Sequence, residues 1–139
     1  MKTKTVQILG DTDIEKNIIS DPVQAGGYYS ISSGKHTLVV YTGTSFKGRI
    51  SLQGTLLREP KEEDWFNIKL DGQEYIEFPF VENNIAISNN KVYAFNFTAV
   101  PVYVRFILDR EYLDYREKRP MDLADFDIYG NLRKVLLVY

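Results

Sequence analysis

Apolar side chains recur at every second position through long stretches of this chain, the spacing at which a pleated strand turns one face to a core and the other to water. In "GRISLQGTLL" Ile50, Leu52, Gly54 and Leu56 share one face, while Arg49, Ser51, Gln53 and Thr55 share the other. "TKTVQIL" (Thr3 to Leu9) and "KHTLVVYT" (Lys35 to Thr42) also read as strands, the second bounded by Gly34 and Gly43. Further on, "DWFNIKL" aligns Phe66, Ile68 and Leu70; "VYAFNFTA" aligns Tyr93, Phe95 and Phe97; "VYVRFILD" aligns Val102, Val104, Phe106 and Leu108. The last two runs read as consecutive antiparallel strands meeting at Pro101, which cannot donate to a ladder. Asp71-Gly72 signals a tight hairpin turn. The closing run "LRKVLLVY" is apolar on both faces, as in a central strand or one covered by a partner.

About seven or eight such strands, separated by turn residues, predict an all-β fold: an antiparallel β-sandwich of jelly-roll type. The ten Tyr and eight Phe suit a half-buried pleated surface. At 139 residues the chain fits one domain spanning 1–139, able to bury roughly two thirds of its unfolded surface.

Composition excludes several functions. A formal net charge of −2 offers no footprint for a nucleic-acid backbone. The absence of cysteine removes disulfides and thiolate metal sites, and leaves open whether the protein works inside or outside a cell. No apolar run approaches the about 18 residues of a membrane span. The start, "MKTKTVQILGDTD", carries too short an apolar run for a signal peptide, so synthesis as a soluble cytoplasmic chain is expected.

Two segments escape the alternation: Gly10 to Tyr29 and Arg110 to Asn131. Loops of that length in a compact domain usually carry function, so both are read as partner-contact segments. In the second, Tyr112, Tyr115, Phe126 and Tyr129, with Arg116 among them, form the aromatic and arginine mixture that interfaces favour. Its removal is expected to leave a folded domain that no longer assembles. "PMDLADF", from Pro120, suggests a short helix.

Three stretches, "GRISLQGTLLREPKEEDWFNI", "YAFNFTAVPVYVRFIL" and "YGNLRKVLLVY", together resemble a β-sandwich module of small virion structural proteins in tailed bacteriophages. The resemblance runs from about residue 35 to the end. It implies a non-enzymatic tail, baseplate, neck or fibre-associated component located in the virion. Its partners would be other virion proteins and copies of itself. The module is also similar in layout to galactose-binding-like jelly rolls, which leaves carbohydrate binding, including host-surface recognition, as the alternative.

The lone tryptophan, Trp65, has two readings. Beside Phe66 it would close one end of the sandwich, as a mostly buried Trp does, and the resemblance favours this. Exposed, it would stack on a sugar ring with Tyr28, Tyr29 or Tyr75 nearby. His36, the only histidine, reads as an ordinary hydrogen-bonded or solvated side chain rather than a metal ligand. The charges of "REPKEEDW" read as a solvated turn. Asp122, Asp125 and Asp127 lack the spacing of a calcium loop. No nucleophile, base and orienting group can be assembled, and "QAGGYYSISSG" lacks the phosphate-loop pattern, so no catalytic residue, cofactor or metal is assigned.

Overall fold

The computed structural model describes residues 4–13, 15–30, 33–79, 81–82, 85–86, 91–122, 125 and 129–139, with backbone alone for 81–82 and 85–86. Twelve strands lie among them: β1 (Thr5–Leu9), β2 (Asn17–Ile19), β3 (Val23–Gln24), β4 (Lys35–Thr42), β5 (Gly48–Thr55), β6 (Phe66–Ile68), β7 (Ile76–Phe78), β8 (Val81–Glu82), β9 (Ile85–Ala86), β10 (Lys91–Thr98), β11 (Tyr103–Asp109) and β12 (Leu132–Val138). One short helix, α1 (Tyr112–Arg116), follows β11.

The strands form two antiparallel sheets. One has the order β1-β12-β4-β10; the other has the order β2-β11-β5-β6, with β3 beside β11 and β7 beside β5. Among the described residues β8 and β9 pair with each other and with no other strand. The pairing is nested: β1 with β12, β2 and β3 with β11, β4 with β10, and β5 with β6 and β7. Strands at the two ends of the chain are therefore partners, and each step inward in sequence brings the next pair.

Alternation decides what the sheets enclose. His36, Leu38 and Val40 of β4 and Val135 and Leu137 of β12 point inward, as do Ile50 and Leu52 of β5 and Val104, Phe106 and Leu108 of β11. All but His36 belong to one apolar cluster, and each fully buried Leu, Ile or Phe stabilises the fold by roughly 1.5–3 kcal/mol relative to exposure. β12 takes a central place between β1 and β4, in keeping with its two apolar faces.

Three expectations change. β10 and β11 do not pair: at Val100-Pro101 the chain crosses from one sheet to the other, so Phe95 and Phe106 face the core from opposite sides. Leu56 is 61 % exposed rather than inward, because β5 ends at Thr55. The segment 10–29 is not a loop; it contains β2, β3 and a 3₁₀ turn at Gly26–Tyr29. Its strands are only three and two residues long, too short to register as an alternating pattern.

Asp71-Gly72 does make a tight turn, with φ of 49° and 81° and reciprocal backbone hydrogen bonds between Leu70 and Gln73. The turn also meets the outer edge of β10. The Asp71 N–H donates to the Asn96 carbonyl, and the Asn96 N–H donates to Asp71 Oδ1. An otherwise open strand edge is thereby closed at Asn96. Among the described residues no helix is long and apolar enough to cross a membrane.

Candidate functional site

The second long segment begins from the core. Arg110, the residue after β11, is fully buried, its guanidinium 4.9 Å from the Phe46 ring centre and its Nη2 donating to the Gly130 carbonyl. Burial pulls its pKa down to about 10. Gly130 has a φ of +71° and abuts the backbone at Thr44 and Phe46, so both ends of 110–131 are fastened to the same place. Leu113 and Met121 bury a small satellite cluster against Tyr112 and Tyr129. Removing this segment would strip buried side chains from the domain, so it is not the dispensable appendage expected from sequence.

Its aromatic residues divide by task. The Tyr112 ring lies 4.2 Å from the Arg49 guanidinium and 4.9 Å from that of Arg116. Both arginines bind the Glu77 carboxylate, at 2.8 and 2.7 Å. Arg116, then Arg49, hold the Glu77 carboxyl below the usual carboxylate range, and burial pushes the Tyr112 hydroxyl up to about 12. Tyr112 and Arg116 thus pin α1 to β5 and β7. Tyr129 lies beneath the Lys47 ammonium, 4.7 Å away. Tyr115, 79 % exposed, is the residue of this set that presents itself to solvent. Phe126 lies outside the described residues.

Trp65 is partly buried and lies outside the main apolar cluster. Ile68 is the buried residue of β6, and Phe66 shares its parity though 40 % exposed at the strand's end, so Trp65 and Asn67 fall on the outer side. There the Arg105 guanidinium covers the Trp65 ring at 4.4 Å, grips Glu62 with two hydrogen bonds and donates to Gln53. Glu62 is largely exposed and its pKa is lowered by Arg105. Of the sugar-stacking candidates, Tyr28 packs against Tyr103, which shares the outward face of β11 with the Arg105 that covers Trp65. Tyr28 and Tyr29 sit edge to face in the 3₁₀ turn, beneath Arg58 and Lys4 respectively, whereas Tyr75 lies against Arg49 beside α1.

His36 is buried and hydrogen-bonded at both nitrogens. Nδ1 meets the Gly34 carbonyl at 2.9 Å, and Nε2 accepts from the Gly26 N–H at 3.0 Å, which fixes the neutral tautomer with Nδ1 protonated. Its ring stacks on Phe97 and borders Tyr139, whose hydroxyl stays neutral because burial raises it to about 12. Burial lowers the histidine pKa. The neutral form is therefore favoured by folding, a stabilisation complete above about pH 6.5 and lost as pH falls from there through the lowered folded value. The melting temperature should drop between pH 7.5 and 5.5, above the range where the paired carboxylates titrate, and His36→Gln should flatten that drop. An unchanged slope in the variant would remove His36 as its source.

Asp125 is engaged by Arg119 through two hydrogen bonds and accepts the Asp122 N–H. Arg119 holds its carboxyl well below the usual range. Among the described residues no group of His, Cys, Asp and Glu could hold a metal ion; Asp127 lies outside them.

The outer faces of the two sheets differ in how much charge they carry. Across the β11 sheet run the polar rows Asp109–Arg49–Glu77 and Arg105–Gln53–Asn67, with Ile19–Ile107–Ser51 between them and Ile19 itself 62 % exposed. Across the β12 sheet run Gln7–Leu136–Val39–Ala94 and Lys134–Tyr41–Val92, with Thr5–Val138–Thr37–Asn96 at one end. Here apolar side chains face out, and Val92 is 54 % exposed. Sequence reasoning saw the two-faced character of β12 but not that its neighbours share it, because pairing across strands is not written in any one run. No family model matches the chain, and no curated protein matches it.

Proposed function

We propose that this chain is a non-enzymatic structural component of a tailed-bacteriophage virion, working through protein–protein contacts. The observation that carries the reading is the outer face of the β12 sheet. A four-stranded face with an apolar middle and no acidic side chain at its described outward positions, opposite one crossed by ion pairs, is what a subunit presents when one side is to be covered and the other stays wet. The nested strand order supports it. First strand with last, and so inward to β5 with β6 and β7, is a pairing in keeping with a jelly-roll reading of the sandwich, an architecture used in viral capsid and lectin domains. The lectin alternative draws less support, because cations already lie over Trp65, Tyr28 and Tyr29.

The test is quantitative mass spectrometry of purified phage particles from the source culture, with lysate as reference. A fixed multi-copy stoichiometry is expected. A chain abundant in lysate and absent from particles would end the virion reading.

A further inference from the structure

The outer face of the β12 sheet has a charge as well as an apolar middle. Lys35, Arg133 and Lys134 lie at its ends, the last two over the Tyr41 ring at 5.7 and 4.4 Å. No Asp or Glu occurs at the outward positions of its four strands among the described residues. At the Lys35 end a cleft of about 630 Å³ opens between Thr37, Asn96, Val138 and their neighbours.

Elsewhere on the molecule is a surface of the opposite sign. Where β5 ends, Leu56 and Leu57 are exposed at 61 % and 49 %. Phe66 is drawn to them because it pairs with Gly54, and Val100 because the Val102 N–H donates to the Thr55 carbonyl. Both are also exposed, at 40 % and 47 %. The connection following Leu57 carries Glu59, Glu62, Glu63 and Asp64 against Arg58 and Lys61. With Glu62 already paired to Arg105, Glu59, Glu63 and Asp64 face Arg58 and Lys61, so this end of the sandwich is an apolar knob with a mixed surround that is acidic on balance.

We propose that these two surfaces bind each other between copies of the chain, the Leu56–Leu57 knob of one copy seating on the β12 sheet face of the next. The inference deepens the virion reading by naming the partner. Apolar area meets apolar area, the acidic connection meets Lys35, Arg133 and Lys134, and like charges are kept apart, as they would not be if two cationic faces met across a two-fold axis. Because the surfaces are different, the contact is heterologous and generates a ring or a filament rather than a closed dimer.

Sedimentation velocity of the full-length chain up to about 1 mM should show concentration-dependent association beyond the dimer. Ala94→Glu on the sheet face and Leu57→Glu on the knob both replace exposed side chains, and each alone should sediment as a monomer with an unchanged melting temperature. Val39→Glu and Leu56→Glu are second variants for the two surfaces should either first variant melt early. Mixing a face variant with a knob variant leaves one intact pair of surfaces and should give a one-to-one heterodimer that grows no further.

A wild-type chain that stays monomeric at about 1 mM overturns the self-contact. So do face variants that dissociate while knob variants still associate, which would mean an isologous face-to-face dimer. So, too, does a mixture that remains monomeric. None of these results bears on whether the chain is found in particles, so failure here is separate from failure of the virion reading.

Discussion

Arg110→Ala is expected to lower the melting temperature by about 10 °C, equivalent to about 3 kcal/mol in a chain of this size. Arg110 is fully buried, and its stem and guanidinium fill the space between Phe46 and the Gly130 carbonyl. Truncation opens a cavity and leaves that carbonyl without the hydrogen bond it accepts from Arg110, two costs of separate origin. Arg110→Met separates them. It keeps most of the volume against Phe46 but not the donor, so its melting temperature should lie between those of wild type and the alanine variant. A thermal melt that places Arg110→Ala within about 2 °C of wild type would show that 110–131 is not fastened through this residue.

Much of the architecture is legible in the chain because strand alternation is a local property. β4, β5, β10, β11 and β12 each carry their inward residues at every second position, and the sandwich follows from that. His36 was legible by the same rule: it shares parity with Leu38 and Val40, so its burial could have been read from "KHTLVV". The position of Trp65 was legible too, since setting Phe66 and Ile68 inward sets Trp65 outward.

What escaped is non-local. Nothing in the sequence says that β10 finds β4 rather than β11, because both pairings satisfy the same pattern. Strands of two or three residues such as β3 and β2 are made by their partner, β11, and carry no period of their own. A buried arginine is invisible to a rule that sends charges outward, and Arg110 lies inside because a carbonyl and an aromatic ring meet it there. The contrast between the outer faces of the two sheets depends on which strands are neighbours, and so could be seen only once the register was known.

Gly27→Ala should be at least as damaging, at about 3 kcal/mol or more, although it adds a single methyl. A Cβ at Gly27 would stand 2.6 Å from the Pro101 carbonyl oxygen and closer still to that of Val100, both of them backbone and neither able to rotate away. The 3₁₀ turn must then leave the Val100-Pro101 crossing. Its departure breaks the bond from the Gly27 N–H to Pro101 and strains the one from the Ala25 N–H to Val102, at 2.8 and 2.9 Å. It also draws the Gly26 N–H from His36 Nε2, the bond that favours the neutral imidazole. The variant should therefore lose two properties together: its melting temperature falls, and the decline in stability between pH 7.5 and 5.5 becomes shallower than in wild type, because a histidine released from Gly26 binds a proton more nearly as the unfolded chain does. A Gly27→Ala chain that melts early yet keeps the full wild-type pH slope would separate the turn from the histidine and place the origin of that slope elsewhere.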